Sequence, residues 1–145
     1  MSMDEDAVSH NQEMVMRYEK AMEMKKAGDL KAVEELLLPS VSPPSIYHGH
    51  YRELFINWRK MIKQLLSEGM NADALSLLKK MFILDREMLA AMKDHWSAVQ
   101  GKRLTEDYFS TYSKINKSDI KMIHNLSQML GDKEGLDIGR IYLHQ

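Results

Sequence analysis

Two histidines near the middle of the chain are the first residues whose spacing has chemical meaning. His48 and His50 stand two positions apart in the segment Tyr-His-Gly-His-Tyr, residues 47–51. Imidazole nitrogens are common zinc and copper ligands, so the pair is a candidate metal site. The segment holds no carboxylate or thiolate to complete the coordination, and the alternative is an aromatic-rich loop that packs on neighbouring helices. On this balance we predict no metal or other cofactor.

Two acids interrupt helical stripes that are otherwise apolar. Asp85 stands seven residues from both Leu78 and Met92, and Asp119 fills the gap in a later apolar line. A buried carboxylate costs stability unless a Lys, an Arg or a hydroxyl meets it, so we expect such partners for both. Polar residues at such positions commonly fix the register of helix packing, and we favour this role over acid–base catalysis.

The motifs of the common catalytic sites are missing. The sequence has no Gly-rich phosphate loop, no Gly-x-Ser-x-Gly elbow and no His-Glu-x-x-His pair. It has no cysteine, which excludes thiol nucleophiles, disulfides and cysteine-bound zinc or iron–sulfur clusters. His95 fits a core histidine better than a general base. We therefore expect a protein that is not an enzyme and has no small-molecule substrate.

The element that must position these residues is a predicted helix from Asn71 to Gln100. A heptad seam, expected to be buried, contains Leu75, Leu78, Phe82, Leu89 and Trp96. A second apolar stripe beside it contains Met81, Leu84 and Met88. A helix that is apolar over more than half its circumference must be covered by several other helices.

The rest of the chain reads as helices separated by glycines and one proline-rich segment. The expected helices are 4–27, a short one ended by Pro39, 51–68, 71–100, and one that starts at Thr105. The last either continues to residue 130 or breaks at 116–118, and 136–145 is a closing helix or a tail. We predict an all-α, antiparallel bundle of five to seven helices around the 71–100 helix. It forms one domain, with an N-terminal hairpin (1–38), a linker (39–50) and a main bundle (51–145).

Charge and hydropathy limit the partners. Residues 1–37 carry nine acidic and five basic side chains, whereas residues 38–145 carry twelve acidic and fifteen basic ones. This basic excess permits a nucleic-acid partner without indicating one. The acidic start lacks the features of a signal peptide, and no window approaches the ~18 apolar residues of a membrane span. We expect a cytoplasmic protein without a membrane partner.

The favoured function is binding of a protein partner or of a second copy, as in an adaptor, inhibitor, chaperone or structural subunit. Thirteen methionines suit an irregular core or an adaptable surface, and core is the preferred interpretation. By their lengths the other helices leave part of the second stripe uncovered, so either the N-terminal helix folds back along it or a second copy covers it. We predict a homo-oligomer whose interface uses this stripe or the N-terminal helix. The candidate partner-binding residues are Met81, Leu84, Met88, Val8, Val15 and Met22.

Nucleic-acid binding is the alternative function. Its basic candidates are Lys102, Arg103, Lys114, Lys117 and Lys121. Residues 117–145 have a helix-turn-helix-like pattern with a turn at 131–135, although the last segment has only Arg140 as a basic residue. A solvated helix face explains the lysines equally well.

One resemblance bears on this alternative. Met81, the run Asp-Arg-Glu-Met-Leu at 85–89, and Lys93-Asp94 resemble the central helical hairpin of small terminase subunits from tailed phages. The resemblance covers a short part of the chain. It implies a ring-forming subunit that helps to recruit viral DNA for packaging, and it transfers no functional residue.

Overall fold

The chain is an all-α helical bundle, as predicted. The computed structural model describes residues 3–45, 47–100 and 112–143, with side chains from residue 9 onward except 99 and 100. Within these ranges it contains six helices and no strands. The helices are α1 (Met3–Lys26), α2 (Leu30–Val41), α3 (His48–Ser67), α4 (Asn71–Gln100), α5 (Lys117–Leu130) and α6 (Lys133–Leu143). None of these helices is long and apolar enough to cross a membrane.

Glycines end three of the helices, as the sequence indicates. Gly69 follows α3 with φ 75°, a left-handed conformation that residues with a Cβ rarely adopt. The Gly69 N–H donates to the Leu66 carbonyl, and the Met70 N–H donates to the Leu65 carbonyl at 2.9 Å. This pair of bonds satisfies carbonyls that the helix end leaves free. α4 starts directly afterwards at the predicted residue, so the connection between α3 and α4 is as short as predicted.

Two predicted boundaries are wrong. Pro39 lies inside α2, which continues to Val41. An exposed proline removes one hydrogen bond of the helix, and the Ser42 N–H still donates to the Leu38 carbonyl at the helix end. α3 begins at His48 rather than residue 51, so the two histidines belong to its first turn and not to a loop. The proline-rich connection is correspondingly shorter than predicted.

Of the two alternatives for residues 105–130, the structure shows the one with a separate last helix, because residues 113–116 are not helical. α5 starts at Lys117, and the start expected at Thr105 lies outside the described residues. A two-residue connection, Gly131-Asp132, then leads to α6, so the turn is shorter than the predicted 131–135 and residues 133–143 are helical. The alternative of a frayed C-terminal tail is excluded for those residues.

The chain divides into two compact units, Met1–Asn57 and Trp58–Gln145, with the boundary inside α3 rather than in the proline-rich segment. In the first unit α1 packs against α2. Lys25 of α1 donates to Glu53 of α3 at 2.7 Å. The buried side chains of this unit are mainly apolar and include Ala21, Val33, Leu37, Val41, Tyr51, Leu54 and Phe55.

In the second unit α4, α5 and α6 pack against one another. The buried positions on α4 follow a mean period of 3.6 residues and are Ala74, Leu78, Met81, Asp85, Met88 and Met92. Leu75 and Phe82 are also buried, as predicted. Leu89 is only half-buried, and the prediction for Trp96 is wrong, because its side chain is 42% exposed. A straight helix turns a heptad line away from its contact face by about 20° per heptad, or roughly 60° between Leu75 and Trp96.

Small residues allow α5 and α6 to approach closely. Gly135 and Gly139 are buried and stand one turn apart on α6. A Cβ at Gly135 would lie 3.0 Å from the Ser127 Cβ and still closer to the Ser127 hydroxyl, so only glycine fits there. A Cβ at Gly139 would meet Ile123 at 3.4 Å, an ordinary contact. The sequence of α6 thus fixes how near the two helices lie.

Candidate binding groove

An open groove lies between α5 and the end of α6. Its volume is about 510 Å³. The lining residues come from one face of α5 and the last turn of α6, and they are Lys117, Ile120, Lys121, His124, Tyr142 and Leu143. The four α5 positions follow the spacing i, i+3, i+4, i+7, which places their side chains along one stripe of a helix.

The groove combines an apolar surface with positive charge. Ile120, Tyr142 and Leu143 supply the apolar part, and the Leu143 side chain is 57% exposed. Lys117 and Lys121 are exposed and one helical turn apart. Among the lining residues that the structure describes there is no carboxylate. Such a surface suits a ligand that is both anionic and partly apolar.

A capping box fixes where α5, and hence the lysine pair, begins. The Asn116 side chain accepts from the Asp119 N–H at 2.9 Å, and the Asp119 carboxylate accepts from the Asn116 N–H at 3.0 Å. These bonds satisfy two backbone donors around the start of the helix. Lys117 is the first residue after the cap, so the cap determines the position at which its side chain leaves the backbone.

Arg59 of α3 also stabilises the start of α5. Its Nε and Nη2 donate to the two oxygens of the buried Asp119 at 3.1 and 2.8 Å, and Nη2 also donates to the Lys114 carbonyl at 2.5 Å. A planar guanidinium matches a carboxylate in this paired geometry. Asp119 therefore has one of the partners that the sequence predicts, an arginine.

Asp85 positions the other wall of the groove. Its Oδ2 accepts from the Tyr142 hydroxyl at 2.7 Å, and the Tyr142 ring lies edge-on against Phe82 with centroids 4.8 Å apart. Burial, with the negative charge of Asp85 next in importance, raises the pKa of Tyr142 far above its ordinary value, so the phenol stays protonated and donates. The buried Asp85 thus fixes the position of Tyr142, one of the residues that line the groove.

The remaining bonds of Asp85 hold the segment before α5. Its Oδ2 accepts from the Ser113 hydroxyl, and its Oδ1 accepts from the Lys114 N–H, each at 2.7 Å. The expected hydroxyl partners are present, so both carboxylate oxygens of this fully buried acid are engaged. Asp85 therefore joins α4, α6 and the segment that leads into α5.

The structure brings together two of the five basic residues predicted for nucleic-acid binding. Lys117 and Lys121 share the groove, whereas the backbone of Lys114 belongs to the network beneath it. Lys102 and Arg103 lie outside the described residues. α5 and α6 form a helix-turn-helix in the loose sense, and nucleic-acid binding by it stays a prediction.

The predicted partner-binding stripe is not an exposed surface. Met81, Leu84 and Met88 are buried within the single chain, so the prediction that they are left uncovered is wrong. The heptad register placed them on the flank of α4, whereas the 3.6-residue period of the helix places them in its contact face. On α1, Val15 is 55% exposed, Met22 is half-buried, and the side chain of Val8 is outside the described residues.

The histidine pair does not form a shared site. The His50 ring is buried, and its Nε2 donates to the Met14 carbonyl at 2.9 Å. The ring also lies beside Tyr18 and Tyr47, with centroids 5.3 Å apart in each case. His48 is exposed. In the described part of the chain no three His, Cys, Asp or Glu residues are grouped so that they could hold a metal ion.

Sequence reasoning missed four residues of the groove: Ile120, His124, Tyr142 and Leu143. The stripe at 117, 120, 121 and 124 was visible as a helical spacing. Its pairing with the last turn of α6 was not, because that contact depends on the close approach at Gly135 and on the bond from Tyr142 to Asp85.

Comparison with family models, curated proteins and solved structures finds no match to this chain.

Proposed function

We infer that the protein is a non-catalytic binding protein whose groove between α5 and α6 takes an acidic segment of a protein. The observation that carries this proposal is the lysine pair beside an apolar surface, without a lining carboxylate among the described residues. Carboxylates of the ligand would pair with Lys117 and Lys121. An apolar side chain of the ligand would contact Ile120, Tyr142 and Leu143 and lose its contact with water.

The buried acids support a binding role over a catalytic one. Both oxygens of Asp85 accept hydrogen bonds from neighbours, and both oxygens of Asp119 accept from Arg59 or Asn116. A general base needs an oxygen or nitrogen within reach of a substrate proton. These carboxylates instead hold the walls of the groove at fixed positions, which lowers the entropy lost when a ligand binds.

The apolar lining favours a peptide over a nucleic-acid backbone. Phosphate binding is driven mainly by basic side chains, and each neutralised phosphate adds to the salt dependence. Two exposed lysines beside three apolar side chains match an acidic peptide better than a chain of phosphates. The nucleic-acid alternative keeps the support of this same lysine pair, and an experiment has to separate the two.

A short fluorescent peptide of glutamates and leucines is the appropriate probe, with anisotropy as the measurement. We expect it to bind the full chain, and Lys117→Glu with Lys121→Glu to weaken binding at least about tenfold by charge repulsion. Lys63→Glu with Lys80→Glu makes the same charge change at exposed positions outside the groove and should have little effect.

Ile120→Ser tests the apolar part without a change of charge. It should weaken binding of the glutamate–leucine peptide and leave binding of a peptide of glutamates alone unchanged. Equal loss with both lysine pairs would contradict the groove as the site. Tighter, strongly salt-dependent binding of a DNA oligonucleotide would favour the nucleic-acid function instead.

A further inference from the structure

The acidic start of α1 has the chemistry that the groove requires. Residues 3–8 read Met-Asp-Glu-Asp-Ala-Val, three consecutive carboxylates between apolar residues. The charge of the whole chain is divided in the same way, with a net −4 over residues 1–37 and +3 over residues 38–145. One copy of the chain therefore carries both an acidic, partly apolar segment and a basic, partly apolar groove.

We propose that the groove of one copy binds residues 3–8 of a second copy, with carboxylates of this segment paired with Lys117 and Lys121. The inference rests on the proposed function and names its ligand. Lys117 and Lys121 are four residues apart on α5, a rise of about 6 Å. Successive residues of a helix are about 100° apart around its axis, so Asp4 with Glu5, or Glu5 with Asp6, can face the lysine pair together. An apolar residue of the segment, Met3 or Val8, supplies a side chain for Ile120 and Leu143.

Reciprocal exchange between two copies makes the contact twice. In a twofold dimer each copy inserts its own acidic segment into the groove of the other, and both grooves are filled. A six-residue segment buries little surface, so two such contacts give a weak, salt-sensitive dimer rather than an obligate one. The proposal therefore predicts association that depends on protein concentration and on ionic strength.

Charge reversal in both partners tests the pairing directly. Sedimentation of the full chain at low salt should show a monomer–dimer equilibrium. Either Lys117→Glu with Lys121→Glu or Asp4→Lys with Asp6→Lys should weaken dimerisation at least about tenfold. All four changes in one chain should restore it, because the charges are exchanged. Lys63→Glu with Lys80→Glu controls for net charge.

Three results would overturn the proposal. The first is a monomer at all concentrations, and the second is a dimer that neither charge reversal weakens. The third is a monomer whose affinity for an added peptide of residues 1–12 increases after Asp4→Lys with Asp6→Lys, which would mean that the segment occupies the groove of its own chain. If the glutamate–leucine peptide still binds the groove in such a case, the proposed function stands and only its ligand is wrong.

Discussion

The Tyr142 hydroxyl and the Asp85 carboxylate lie 2.7 Å apart, and this bond connects the last turn of α6 to the middle of α4. The same hydroxyl lies 3.3 Å from the Phe82 carbonyl. Tyr142 lines the groove, so a buried acid on α4 determines the shape of a surface that is open to solvent. The relationship makes the stability of the core and the shape of the groove depend on one bond.

Tyr142→Phe should lower the free energy of unfolding by about 1–3 kcal/mol. The ring is kept, but Asp85 loses one of its three donors in a buried position. Urea denaturation followed by circular dichroism measures the effect. Ile141→Ala removes an exposed side chain next to it and should change stability by less than about 0.5 kcal/mol. A change in Tyr142→Phe as small as in the control would mean that water replaces the lost donor.

Gly135→Ala should destabilise the protein by about 1–3 kcal/mol, because the new methyl group meets the Ser127 side chain. Gly139→Ala is the matched control one turn later. Its methyl group has room beside Ile123, so the gain in helix propensity should leave stability unchanged or raised by up to about 1 kcal/mol. Thermal unfolding of both variants distinguishes a steric effect from a general effect of replacing glycine.

Ser127→Ala provides a further check on the same contact. The Ser127 hydroxyl is buried and without a hydrogen-bond partner, so its removal alone should not destabilise the protein. In combination with Gly135→Ala it should recover part of the lost stability, since the closest clashing atom is removed. No recovery would show that the backbones themselves, rather than this hydroxyl, oppose the methyl group.

The course of the helices could be predicted from the sequence wherever local signals decide it. Gly69 and the apolar period after it gave both ends of the connection between α3 and α4. Trp96 shows where the reasoning failed: a heptad pattern predicts burial only if the helix supercoils, and α4 buries its residues at the 3.6-residue period of a straight helix. The sequence pattern alone does not distinguish a supercoiled helix from a straight one.

The groove was less predictable than the fold because it depends on contacts between residues far apart in sequence. The lysine pair was recognised as basic surface, and Asp85 as an acid that needs a hydroxyl partner. Neither observation identifies Tyr142 as that hydroxyl, and six tyrosines were available. Only the packing of α6 on α4 and α5 selects it.

Low pH should weaken the connection between α4 and α6. Asp132 accepts from the Gly135 N–H at 2.8 Å and pairs with Lys79 at 3.0 Å, and these two interactions hold the pKa of its carboxyl below the ordinary 3.8. A depressed folded-state pKa contributes stability above pH 3.8 that is lost as the pH falls through the folded value. The melting temperature should therefore fall as the pH is lowered from about 5 to 2. Asp132→Asn should reduce that fall, whereas Asp94→Asn, at an exposed position on α4, should not.

Arg59→Lys should destabilise the second unit although it keeps the positive charge. Arg59 makes a paired contact with Asp119 and a third bond to the Lys114 carbonyl, and a lysine ammonium cannot reproduce this fork. We expect a loss of about 1–2 kcal/mol in urea denaturation, because the buried carboxylate keeps part of its charge compensation. Lys60→Arg is the matched exchange at the exposed neighbouring position and should be neutral. Asp119 caps the helix that carries Lys117 and Lys121, so Arg59→Lys should also weaken binding of the acidic peptide. Reduced stability with unchanged peptide binding would show that the groove does not depend on the contact between Arg59 and Asp119.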